Sequence, residues 1–246
     1  MYQRSFPALF CLTLWLGSTL SPIGCTVAAA DQITAVVPAP QTQAWWTERH
    51  ERAVARLQQS PVDLLFIGDS ITQGWEEAGR RVWETFYGRR RAANLGFNGG
   101  QTNNVLWRLQ HGGLDGIAPK LAIVMIGTNN TSVRKDPPEQ TAAGIHAILT
   151  TLHTRLPQTK ILLLAVFPRG WSADEPLRLV NQALNERLRA YADQRQVLFL
   201  DLGPHFLDKA GRLSEEVMPD ALHPSERGYR LWAEGMEHLV KPLLGE

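Results

Sequence analysis

The 246-residue chain reads as an α/β protein whose parallel sheet is covered by helices on both faces. Three observations predict it. Five apolar runs, Val62–Ile67, Ala92–Phe97, Leu121–Ile126, Ile161–Val166 and Val197–Leu202, are near-continuous rather than alternating, the pattern of strands buried on both sides. Helical periods fall between them, so each strand has a crossover that can return the chain parallel to it. The sequence is 44% hydrophobic, with no internal repeat and no Gly/Ser/Pro-rich linker to divide it, so one core is expected.

Residues 1–30 read as a signal peptide. Arg4 precedes an apolar stretch from Phe6 to Leu16, and Ala28-Ala29-Ala30 supplies small residues for cleavage before Asp31. As a membrane span the stretch is too short, and Pro7, Gly17 and Pro22 interrupt it. Both cysteines, Cys11 and Cys25, lie in this leader, so the mature chain would hold no thiol for a disulfide, a nucleophile or a metal. Lipid attachment at Cys25 is the competing fate, but Pro22 three residues earlier suits it poorly; export to the periplasm or the medium is the expectation. The 25 basic and 24 acidic residues become 24 of each once Arg4 is removed, which gives nucleic acid no electrostatic foothold. Arg80-Arg81 and Arg89-Arg90-Arg91 read as solvated charges at loops or helix ends.

Residues 31–60 form a leading segment. After Pro38 and Pro40, Trp45, Trp46, Ala53, Val54 and Leu57 fall at helical spacing and predict a helix over Gln43–Gln59, its tryptophans anchoring it to the core rather than forming a sugar or lipid platform. The main domain covers 61–246. Val105, Leu106 and Leu109 mark a helix after the second strand, Ile145 to Leu152 one after the third, Leu177 to Tyr191 one after the fourth, and Tyr229 to Leu243 the last. In such sheets reactive groups collect where the strands' carboxyl ends meet the loops.

Four short segments stand at or beyond those ends: Gly68-Asp69-Ser70, Asn98-Gly99-Gly100, Gly127-Thr128-Asn129-Asn130 and Asp220-Ala221-Leu222-His223. Each alone has an ordinary reading. Asp-Ser caps helices, Asn-Gly-Gly makes a tight turn, and Asn129 and Asn130 can shape a polar one. Together they supply a serine nucleophile, Ser70; a base, His223, with Asp220 three residues before it to hold Nδ1; and oxyanion donors in the backbone N–H groups of Ser70 and Gly99 and the Asn129 amide. Among seven histidines, only His223 has both a preceding acid and a following proline, Pro224. His50, His146, His153 and His238 fall on predicted helices as surface or boundary residues, and Asp201 and Asp208 are rival acids. No Gly-x-Ser-x-Gly occurs, so the strained elbow of the α/β-hydrolases is not the scaffold.

From about Val62 to Leu243 the sequence resembles the SGNH hydrolases, or GDSL-type esterases and lipases, with Ser70, Gly99, Asn129 and His223 in the four blocks. Asn94–Gly100, Val105–Leu109, Gly127–Asn130 and Pro168-Arg169-Gly170 look like the catalytic subunits of type Ib platelet-activating-factor acetylhydrolase. Asn98, Gly100 and Gln101 depart from that pattern. The resemblance implies a three-layer α/β/α, flavodoxin-like domain that hydrolyses esters through an acyl-serine with no metal or cofactor. It also implies that Ile71 and Leu222 close a small acyl pocket suited to acetyl. The expected function is an exported esterase acting on a small acyl ester. A carbohydrate O-deacetylase such as an acetylxylan esterase, a lysophospholipase-like lipid esterase and a binding module with a vestigial site are the alternatives.

Overall fold

The five apolar runs become five strands of one parallel sheet: β1 (Leu64–Gly68), β2 (Ala92–Gly96), β3 (Leu121–Met125), β4 (Lys160–Leu164) and β5 (Val197–Leu200), in spatial order β2-β1-β3-β4-β5. The structure, a computed structural model, describes residues 1–2 and 34–246. Apart from its first two residues, the expected signal peptide, with Cys11 and Cys25, lies outside the described residues. Among the described residues no helix is long and apolar enough to cross a membrane.

Successive side chains of a strand point to opposite faces; both faces are buried along β1 and β3, and the edge strands β2 and β5 are buried in part. Leu65, Ile67, Ala122, Val124, Ile161 and Leu163 pack into one layer with helices α1 (Ala44–Gln59), α4 (Thr102–Gln110), α5 (Pro138–Arg155) and α6 (Pro176–Arg189). Leu64, Phe66, Leu121, Ile123, Leu162 and Leu164 face the other layer, formed by α3 (Arg80–Phe86), α7 (Gly203–Phe206) and α8 (Glu226–Leu244). Trp75, Tyr229 and Trp232 pack ring on ring there, with centroids 4.5–5.9 Å apart. The three-layer architecture expected from the apolar runs is therefore what forms.

The strands are shorter than the runs that announce them. Ile126, Ala165, Val166 and Leu202 remain buried after strand pairing has ended, because the sheet's carboxyl edge is roofed by loops. Apolar continuity reports burial; pairing stops earlier. Two charged or polar groups also sit deeper than their sequence context predicts. Arg90 is not a solvated charge: its side chain is 9% exposed and holds Glu237 at 2.5 Å and Glu246 at 2.6 Å, closing the end of α8 against the loop after α3. His50 is buried on α1, stacked on Trp46 and bonded to the His111 carbonyl at 2.7 Å, while Trp45 beside that anchor stays exposed.

The chain leaves β1 for β2 on one side and later returns as β3 on the other. That reversal opens a crevice at the carboxyl ends of β1 and β3. Ser70 follows β1, Asn129 follows β3, and both face this crevice.

Candidate active site

Gly68 ends β1 because nothing larger fits: a Cβ there would lie 2.1 Å from Thr72 Oγ1 and 2.5 Å from the Met125 carbonyl. The close approach lets the chain turn at once into α2 (Ser70–Gln73), a single helical turn. Asp69 caps that turn, its Oδ1 accepting from Ile71 N at 3.0 Å. The two readings of Asp-Ser thus divide between two residues. Asp69 does the capping, and the Ser70 hydroxyl is left for another partner.

That partner is His223, whose Nε2 lies 2.9 Å from Ser70 Oγ across 153 positions of sequence. His223 Nδ1 is 2.6 Å from Asp220 Oδ2. The other oxygen of Asp220 accepts from the backbone N–H groups of Leu222 at 3.1 Å and His223 at 2.7 Å, so the carboxylate and its histidine share one tight turn. Ala221 adopts φ +57° inside it, an uncommon conformation for a residue with a Cβ. Its N–H is held by Met218 O and its carbonyl by Gly170 N, both at 2.9 Å. Desolvation works against ionisation of Asp220, but the hydrogen bonds from the His223 ring and backbone outweigh it and hold the carboxyl below the usual range. An ionised Asp220 places the ring hydrogen on Nδ1 and leaves Nε2 able to accept the Ser70 proton. Asp201 and Asp208 instead cap loops, accepting from Gly203 N and from Ala210 and Arg212 N at 2.8–2.9 Å.

Asn129 and Asn130 divide in the same way. Asn130 is fully buried and structural, bonded to Thr102 N at 3.0 Å, Thr102 Oγ1 at 2.9 Å and Asp136 at 3.0 Å. Asn129 is half-buried at the cleft; one amide hydrogen goes to Gly100 O at 3.0 Å, and the second has no partner among the described residues. Gly99 has φ +65° in a turn closed by Gly100 N on Phe97 O at 3.0 Å. Ser70, Gly99, Asn129, Leu222 and His223 line one cleft of about 460 Å³, with Tyr229 at its side. Ile71 does not line it: its side chain is 1% exposed and packs in the core, and its carbonyl accepts from Tyr229 OH at 2.6 Å. Among the described residues, no group of three His, Cys, Asp or Glu side chains is placed to hold a metal ion.

The charges that lie beneath the site are only weakly signalled by the local sequence. Arg108, 2% exposed, donates through Nη2 to Gly68 O at 3.2 Å and Leu95 O at 3.3 Å, tying the ends of β1 and β2, with Phe97 4.0 Å from its guanidinium carbon. Its position on α4 at helical spacing is the one signal that could have placed it inward. Arg169 Nη1 donates to Thr128 Oγ1 at 3.0 Å. Desolvation pushes Asp69 up to about 6, against the Ile71 N–H bond and the charges of His223 and Arg108.

A carboxyl group harder to ionise in the folded chain than in the unfolded one lowers stability as pH rises from the unfolded value, 3.8, to about 6. Asp69→Asn keeps the cap acceptor and removes the charge. The variant should be more stable than the parent at pH 8 by about 3 kcal/mol, the size of a two-unit shift, and the gap should close below about pH 4. Urea unfolding at both pH values checks this; a constant gap would mean that Asp69 is not the group responsible.

The model of the GDSL-like lipase/acylhydrolase family matches residues 66–231. Platelet-activating factor acetylhydrolase IB subunit alpha1 of Pongo abelii is 36% identical over 202 residues, 82% of this chain and 85% of the relative. Among solved structures, a GDSL-like lipase from Bacteroides thetaiotaomicron superposes with TM-score 0.63 at 22% identity, covering 79% of this chain and 97% of its own. An acetylxylan esterase from Geobacillus stearothermophilus superposes with TM-score 0.59 at 19% identity, covering 76% and 95%. At those identities the two structures speak to the fold alone.

Proposed function

This chain belongs to the GDSL-like lipase/acylhydrolase family and is an ester hydrolase, and we propose that it is an exported serine esterase that removes short acyl groups, acetyl above all. The observation that carries the chemistry is the relay of Ser70 Oγ, His223 Nε2, His223 Nδ1 and Asp220 Oδ2, with links of 2.9 and 2.6 Å. Ser70 Oγ attacks the ester carbonyl while His223 takes its proton; His223 returns that proton to the leaving alkoxide, and an acyl-serine remains. Water, deprotonated by the same imidazole, then releases the acid and restores Ser70. Negative charge on the carbonyl oxygen is met by the N–H groups of Ser70 and Gly99 and by the free hydrogen of the Asn129 amide. Ser70 opens α2, so its N–H has no partner within the helix.

The acetyl preference is supported by Leu222, which lines the cleft beside His223, and by the acetylhydrolase named among the relatives. Export is supported by the leader alone: Arg4, the apolar stretch and the alanines before Asp31. Expression of the full chain, with fractionation and the mass of the mature protein, tests it. Retention of residues 1–30 in the cytoplasm would remove the export reading.

A panel of esters varying in acyl length and in alcohol, from phospholipid to acetylated sugar, tests the substrate. Acetyl esters should exceed butyryl and octanoyl ones, since each methylene in a closed pocket is worth about 1–3 kcal/mol of discrimination. Leu222→Ala should raise the butyrate-to-acetate ratio, even as absolute rates fall through its neighbour His223. A wild-type preference for octanoate, or an unchanged profile in Leu222→Ala, would place the acyl pocket elsewhere.

A further inference from the structure

The segment ahead of α1 lies outside the family match at 66–231 yet touches the loop that carries Gly99. Its 3-10 turn, Thr34–Val36, buries Ala35, whose carbonyl accepts from Thr102 Oγ1 at 2.8 Å. Ala39 N donates to Asn103 O at 3.2 Å, and Asn104 Nδ2 donates to Ala39 O at 3.0 Å. The segment is thereby strapped across the first turn of α4, and the strap delivers Gln41 to the loop that carries Gly99. Gln41 Nε2 donates to Asn98 O at 3.2 Å. From the other side Gln73, the last residue of the helix that Ser70 opens, accepts from Asn98 N through Oε1 at 2.9 Å.

The Asn98 carbonyl and the Gly99 N–H belong to the same planar peptide, so whatever holds the one aims the other. That peptide is the central one of the Phe97–Gly100 turn, which has the type II pattern: φ is +65° at Gly99, and Gly100 N closes on Phe97 O. Type II and type I turns differ by a flip of this very peptide, and a glycine at the third position permits both. A flip would point the Gly99 N–H away from the cleft.

We propose that Gln41 is a positioning residue of the reaction, locking the Asn98–Gly99 peptide so that the Gly99 N–H faces the developing oxyanion, with Gln73 gripping the preceding peptide. The inference rests on the reading of Gly99 and Asn129 as oxyanion donors. It makes the strap, and not only the family core, part of the catalytic apparatus.

The test compares Gln41→Ala and Gln41→Glu with the parent mature chain on a short-chain ester. Gln41→Ala should lower kcat about tenfold with KM unchanged, as expected for misaimed rather than lost groups. Inactivation by an organophosphonate, which places its own oxygen in the same hole, should slow by the same factor while thermal melting stays put. Gln41→Glu keeps the size, loses the donor and sets a carboxylate against the Asn98 carbonyl, so it should be at least as slow. A parental kcat in Gln41→Ala, a change confined to KM, or a Glu variant milder than the Ala variant would overturn the proposal. Asn129→Ala run alongside separates the two readings. It should lose about two to three orders of magnitude in kcat. If it collapses while the Gln41 variants do not, only the strap's role fails; if Asn129→Ala keeps its rate, the oxyanion reading itself fails.

Discussion

Ser70→Ala is expected to abolish ester turnover, with a fall in kcat of about five to six orders of magnitude and no loss of fold. The covalent step needs an oxygen nucleophile at the head of α2, and no other hydroxyl is bonded to His223 Nε2 among the described residues. Folding should be indifferent. Ser70 sits at the mouth of a cleft, its hydroxyl meets only the imidazole, and the cap of the turn belongs to Asp69. Steady-state rates with an acetyl ester, a melting curve, and peptide mapping after organophosphonate treatment check this together. The label should appear on Ser70 in the parent and nowhere in the variant. Near-native turnover in Ser70→Ala would remove the serine-esterase mechanism outright.

His223→Ala should come close to the same loss, because an unassisted serine hydroxyl is a poor nucleophile at neutral pH and the leaving alkoxide would have no proton donor. Asp220→Asn should be milder, about three to four orders of magnitude, since the ring survives but Nδ1 no longer faces a carboxylate and the tautomer is misassigned. Asp220 also accepts from the backbone N–H groups of Leu222 and His223, and Asn can keep those bonds through its oxygen. The comparison therefore isolates the charge from the turn. Larger losses from Asp201→Asn or Asp208→Asn than from Asp220→Asn would mean that the orienting acid had been misassigned.

Much of the architecture was legible because burial has a direct linear signature. Strands covered on both faces must be apolar at every position, and helices that cover them must be apolar every three or four residues. The five runs and the helices containing Trp46, Val105, Ile148, Leu184 and Trp232 follow from that alone. Short elements were not legible. α2 and α7 have four residues each, too few to show a period, and α3 has seven. Arg90, Arg108 and His50 lie deeper than local sequence indicates for a related reason: each is held by partners that the fold brings from elsewhere, namely Glu237 and Glu246, the Gly68 and Leu95 carbonyls, and the His111 carbonyl.

By itself the sequence determined the fold class and the kinds of group available at the carboxyl edge of the sheet: a serine after one strand, an asparagine after another, a glycine turn, and an acid three residues before a histidine. Each of these follows from residue type and from proximity to an apolar run. Only the tertiary structure decided which of the candidate groups turn towards the cleft. Asp69 caps while Ser70 meets His223; Asn130 is buried while Asn129 keeps a hydrogen free; Ile71 packs inward while Leu222 lines the cleft; Asp220, not Asp201 or Asp208, reaches the imidazole. The physical reason is that a hydrogen bond depends on direction as well as residue type, and these directions are set by elements far apart in the chain. Ser70 and His223 meet across 153 positions, and Gln41 and Asn98 across 57.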